Sequence, residues 1–155
     1  MTATTLSPTD RVRSLAAVIA SASVAGMSFG MVMPLLNLIL EGQGVGAGLI
    51  GLNAATPSLA VLLTALVMPR IVARAGPLAA LYVAAAITIG VLLLLPAFPN
   101  VWAWFPLRFL YGVGGAIQWI ASETWINAIA TNRNRGRVVG IYATIFAGGF
   151  AAGPL

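Results

Sequence analysis

The chain has no cysteine, no histidine and no lysine, and only three acidic residues among its 155. Each absence removes a class of function. Without cysteine there is no disulfide framework and no thiolate metal site. Without histidine the commonest general base and metal ligand is gone. Intramembrane serine proteolysis, which wants a Ser–His pair, goes with it. The only aspartate is Asp10, so a buried aspartyl pair is excluded as well. No catalytic residue, cofactor or metal site is expected, and the chain is read as a non-enzyme. Charge of either sign is scarce: 7% of residues are Asp, Glu, Lys or Arg, against about 25% in a soluble domain.

Hydrophobic residues make up 60% of the chain. They gather into five long runs, at about 14–40, 47–68, 77–95, 101–130 and 138–155. A membrane helix needs about 20 apolar residues. The expected fold class is therefore all-α, a polytopic membrane helical bundle following a tail at 1–13. Period-two alternation is absent, which argues against a β-barrel. Arg11 and Arg13 before Leu15–Phe29, with Ala20-Ser21-Ala22 beyond, resemble a signal peptide. The apolar run continues to Leu40, past the usual h-region of about 7–15 residues, so it reads as a retained first span.

All eight basic residues are arginines, and seven punctuate the runs. Arg11 and Arg13 precede the first. Arg70 and Arg74 separate the second from the third. Arg133, Arg135 and Arg137 separate the fourth from the fifth. The alternate gaps hold no positive charge. This positive-inside pattern predicts a multi-pass plasma-membrane protein with a cytoplasmic N-terminus. The net charge of +5 forms no basic stripe, so no nucleic-acid partner is expected. The partner is the lipid bilayer. Topology places Glu41 and Glu123 on opposite sides, so they cannot form a paired-carboxylate site. The turns are expected at Glu41–Gly46, 70–76, 96–100 and 131–137, and Trp102, Trp104 and Phe105 fit an interfacial belt at the outer start of the fourth run.

The eighth arginine, Arg108, lies inside the fourth run. At 100° per residue, Gly112, Gly115, Trp119, Ser122, Glu123 and Ile126 all fall within about 60° of it. Leu110, Val113, Ile117, Thr124 and Ala128 fall on the other side, which reads as lipid-compatible. A polar stripe on a spanning helix should face a bundle interior or a water-filled cavity. Arg108 and Glu123 are 15 residues apart, roughly 22 Å along the axis, so each needs its own partner. For Arg108 the readings are snorkelling to the outer interface, or lining a cavity and binding an anionic or proton-linked group. For Glu123 they are an ion pair with Arg70, Arg74 or Arg137, or a coupling or gating role. Gln118 and Trp119, near mid-helix, are placed to touch a midplane solute or simply to pack. Asn37 and Asn53 read as hydrogen-bonded helix contacts. Small residues recur four apart: Ala22, Gly26, Gly30 and Pro34; Ala47, Gly51 and Ala55; Gly140, Thr144, Gly148 and Ala152, with Gly149 and Gly153 beside them. Such spacing lets helices approach closely in lipid.

Three patches resemble the N-terminal part of a major facilitator superfamily transporter. Pro69–Gly76 is similar to that family's G-x-L-x-D-R-x-G-R-R loop: Arg74 and Gly76 match, while Ala73 replaces the Asp, Pro69 the first Gly and Pro77 the Arg after the last matched Gly. Arg108–Ala116, with Gly112 and Gly114, resembles the R-x-x-x-G-x-G motif, whose Arg the family links to proton transfer. Gly149-Phe-Ala-Ala-Gly153-Pro154 resembles the G-x-x-x-G-P of the proton-antiporter branch, and Arg135-Gly136-Arg137 is also typical. The resemblance implies a twelve-span fold of two halves built from inverted repeats. This chain would supply the first five spans, truncated within the N-terminal half. The implied function is secondary transport of a small organic solute by alternating access, with proton coupling and outward movement. The implied substrate or proton pathway uses Arg108, Gln118, Trp119 and Glu123. The implied cytoplasmic gating loop uses Arg70, Arg74 and Gly76, and the helix-packing motifs use Gly112, Gly115, Gly149, Gly153 and Pro154. The partners would be the solute, protons and the remaining C-terminal half. The alternative is a small helical membrane subunit or scaffold with no transport of its own. The apolar surface in hand leans toward an amphipathic or apolar solute over a sugar.

Overall fold

A computed structural model describes residues 7–130 and 134–155. Among the described residues there are five helices: α1 (Pro8–Gly42), α2 (Ala47–Ala75), α3 (Pro77–Ala97), α4 (Val101–Ile129) and α5 (Arg135–Ala152). There is no strand among the described residues. The fold is all-α. Thr131, Asn132 and Arg133, expected in a loop, lie outside the described residues, as do residues 1–6 of the expected tail, while the tail from Pro8 onward belongs to α1.

The ends of the helices follow from local chemistry. Ser7 caps α1: its Oγ accepts from the Asp10 amide at 3.1 Å and donates to the Asp10 carboxylate at 2.7 Å. Side-chain oxygens at such positions satisfy amides that the first helical turn leaves unpaired. At the other end, the Val45 amide bonds back to the Leu40 carbonyl and the Gly44 amide to Glu41. Gly44 has φ 75°, the left-handed stop that glycine provides. Asn100 caps α4, its Oδ1 accepting from the Trp102 amide at 2.9 Å.

The largest difference from the sequence expectation lies at 70–76. It is not a loop: α2 stays helical through Ala75, past Pro69. Gly76 alone joins α2 to α3, with φ 80° and ψ 157°. That region is essentially restricted to glycine. Pro77 then occupies the first position of α3, where its missing amide proton costs nothing. Arg70 and Arg74 therefore sit one turn apart on a helix, both exposed. The turns at the other connections are also shorter than expected, because Glu41, Gly42, Pro96 and Ala97 are helical, and α5 takes in Arg135, Gly136 and Arg137.

Thr9–Gly42, Ala47–Ala75 and Pro77–Ala97 are each long and apolar enough to cross a membrane. α4 and α5 are not among them. α4 carries Arg108, Gln118 and Glu123, and α5 opens on two arginines and holds four glycines. Large apolar side chains lie on the outside of the bundle: Leu93 is 71% exposed and Leu66 66%. Water would not tolerate so many; hydrocarbon does.

Two compact units are distinguishable, Met33–Ala121 and Met1–Val32 with Ser122–Leu155. In the first, Met68, Ala80, Ala84, Ile117 and Ala121 form a buried cluster, with Val72, Leu81, Ile87, Val113 and Ile120 packed around it. Ile117 and Val113 were expected on the lipid-compatible face of α4. They pack against other helices instead, because lipid tails and neighbouring helices are equally apolar and hydropathy does not separate them. Leu110, Thr124 and Ala128 of that face are exposed.

Candidate functional site

Within Met33–Ala121, α4 is held between α2 and α3 by small residues. A Cβ placed on Gly112 would lie 2.6 Å from the Pro57 carbonyl oxygen and 2.9 Å from the Ala60 Cβ. One placed on Gly114 would lie 2.7 Å from the Thr88 Oγ1. The backbone approach at Gly112 is available only to glycine, and Gly112 and Gly114, two residues apart, hold two sides of one turn of α4. Gly115, expected in the packing motif, is half-buried. It is Gly114 that meets α3.

This packing places Arg108 inside the unit. Its side chain is 1% exposed, so it does not snorkel to an interface. The guanidinium Nη2 donates to the Asn37 Oδ1 of α1 at 2.9 Å. Its Nε and Nη1 are buried without a partner among the described residues. A buried guanidinium with unsatisfied donors is costly in any apolar surrounding. The only acid in Met33–Ala121 is Glu41, which is exposed at the end of α1.

The other polar positions are spread along the same helices. Gln118 and Trp119 are half-buried in the same unit. Asn53 is fully buried, and its Nδ2 donates to the Val101 carbonyl at 3.4 Å, tying α2 to the start of α4. Trp104 is buried too, its indole Nε1 donating to the Leu95 carbonyl at 3.3 Å. Trp102 stacks on Phe105 with centroids 5.9 Å apart and is itself 67% exposed. The pairing of Asn37 with Arg108 was not legible from spacing, because the two residues are 71 positions apart. The available signal was only that each is a polar side chain in an apolar run.

In the second unit, α1 and α5 cross closely through glycine. Gly26 and Gly30 lie against the backbone of Phe146 and Phe150. In return, a Cβ on Gly149 would lie 2.6 Å from the Ser23 carbonyl oxygen, and one on Gly153 2.6 Å from that of Met27. Gly140 and Gly148, eight apart on another side of α5, have nothing within 4 Å. Pro154 lies past the end of α5 and is exposed, so the contact is made by the glycines and not by the proline. Glu123 is half-buried here and acts electrostatically on the buried Tyr142, which lies beside Ser122. Arg135 Nη2 reaches the Asn127 carbonyl at 3.5 Å, and Arg137 is exposed.

The profile of the Major Facilitator Superfamily matches residues 18–155. The chain belongs to the Major Facilitator Superfamily. It is 33% identical over 132 residues to the uncharacterized MFS-type transporter YfkF of Bacillus subtilis (strain 168), covering 85% of this chain and 34% of YfkF. It is 39% identical over 54 residues to the uncharacterized MFS-type transporter YcaD of Escherichia fergusonii and 37% to that of Escherichia coli K12, in each case over 35% of this chain and 14% of the relative. The chain thus spans about a third of YfkF. No solved structure matches it. Membership in the Major Facilitator Superfamily accounts for the all-α fold and the apolar exterior, and makes this a membrane protein. The family points to transport rather than to catalysis.

Proposed function

We propose that this chain is part of a secondary transporter that moves a small organic solute across the plasma membrane by alternating access, coupled to protons and directed outward. The observation that carries this reading is Arg108. A charge on an apolar helix, buried and joined to a second helix by one neutral amide, is a functional position by default. Trp119 continues its face toward mid-helix with Gln118 beside it, and Glu123 supplies a titratable group on the same helix. Five spans with a cytoplasmic N-terminus are the accompanying topology, supported by Arg11, Arg13, Arg70, Arg74, Arg135 and Arg137 clustering at alternate helix ends. The two exposed arginines and the hinge at Gly76 are the cytoplasmic gating elements in this reading.

A central site in this architecture lies between two six-span halves, so a C-terminal half is the partner this chain requires. The test is solute flux in proteoliposomes under an imposed pH gradient. The full-length protein is expected to transport, replacing Glu123 is expected to abolish pH-driven flux while solute binding survives, and replacing Arg108 is expected to abolish pH-driven flux. Flux unchanged by both substitutions overturns the coupling. Robust uptake by the 155-residue chain alone overturns the need for a second half.

A further inference from the structure

We infer that Arg108 and Asn37 form one half of an oxyanion seat, and that the solute is an organic acid or carries an acidic group. This rests on the proposed transport role of the Arg108 site and names the chemistry it recognises.

The argument is one of charge and valence. A guanidinium stays protonated and offers five N–H donors with no acceptor. Asn37 takes one of them through a neutral oxygen at 2.9 Å. Nε and Nη1 are left buried and unpartnered among the described residues. A neutral amide does not compensate a positive charge, and the one acid of Met33–Ala121, Glu41, is exposed at a helix end. The charge therefore lacks a counter-anion within its own unit. Nε and Nη1 flank Nη2 on opposite edges of the planar guanidinium; Asn37 takes one Nη2 proton, and the other forms a two-donor edge with the unpartnered nitrogen beside it, which suits a group with two or more oxygens, a carboxylate or a phosphate, better than a spherical ion. Both vacant nitrogens are covered by neighbouring side chains, so the anion enters only as the helices around Arg108 open. Alternating access supplies such an opening.

Asn37 makes the idea testable without removing the arginine. An Asn37→Asp chain would carry the missing carboxylate covalently, against the same Nη2. The experiment is thermal unfolding of the full-length protein in detergent at constant ionic strength, titrated separately with sodium benzoate, sodium phosphate and sodium chloride. The wild type is expected to show a saturable rise in melting temperature with one or both oxyanions and none with chloride. Benzoate and phosphate separate the carboxylate from the phosphate class. N37D is expected to melt higher than wild type without added anion and to respond to it at least about tenfold more weakly. R108K is expected to lose the response, since an ammonium has no fork. A wild type indifferent to all three salts overturns the seat, as does an equal response to chloride. An N37D protein that keeps the full oxyanion response overturns the assignment to this pair. Flux without any anion response defeats this inference alone; an anion response without flux defeats the transport reading alone.

Discussion

Gly112 of α4 rests on Pro57 of α2 so closely that a Cβ added at position 112 would lie 2.7 Å from the proline Cα. Backbone meets backbone there, and neither side can step aside. Gly112→Ala is expected to cost about 1–3 kcal/mol through overpacking, and Gly112→Leu to prevent assembly of α4 against α2. Thermal unfolding of the full-length protein in detergent reads the first. The second shows as loss of the monodisperse peak in size exclusion.

The crossing of α1 and α5 gives a prediction with its own control. Gly149→Ala and Gly153→Ala each push a methyl into the α1 backbone, and are expected to lower stability by about 1–3 kcal/mol. Gly140→Ala and Gly148→Ala meet open space. They are expected to be neutral, or to stabilise by up to about 1 kcal/mol through helix propensity. Four melting curves decide it. Equal losses at all four positions would show that the two sides of α5 do not differ as described.

Trp104 is 2% exposed and donates its indole proton to Leu95. Trp104→Phe keeps much of the ring and deletes the donor. The expected loss is about 0.5–1.5 kcal/mol for the hydrogen bond, with more if the Leu95 carbonyl finds no other donor. Exposed Trp102→Phe is the comparison, with a smaller expected change, both read by unfolding in the same detergent.

Topology is checked by reporter fusion. A periplasmic-only enzyme fused after Gln43 is expected to be active, and one fused after Gly76 inactive. A cytoplasmic fluorescent reporter should give the reverse. Neutralising Arg70 and Arg74 together is expected to blur the contrast, because in the proposed topology these charges at one end of α2 hold that end on the cytoplasmic side.

Much of this architecture was legible in the order of residues. Five apolar runs became five helices because run length and capping chemistry are local: Ser7, Gly44 and Asn100 act within a few positions of themselves. Family membership was legible from motifs for the same reason. Three things were not. The segment 70–76 reads as a loop because it holds two arginines, a proline and a glycine, yet arginine is a good helix former and Pro69 is absorbed within α2. The side of α4 bearing Val113 and Ile117 reads as lipid-facing because lipid and protein interior look alike to an apolar side chain. The partner of Arg108 is on another helix, and no periodicity along α4 names it. Of the candidate site, the stripe on α4 and the reading of Asn37 as a hydrogen-bonded helix contact came from the sequence, while the identity of its partner, Arg108, required the fold.

The single residue between α2 and α3 bears on how the protein is made. Ala75 ends one helix and Pro77 begins the next, so no slack separates them as the chain leaves the ribosome. The two helices are tied as a hairpin whose apolar flanks cover one another at Met68, Ala80 and Ala84. A mutation that adds residues at Gly76 would leave each helix apolar enough to insert, and would loosen the tie between the insertion of one and that of the next.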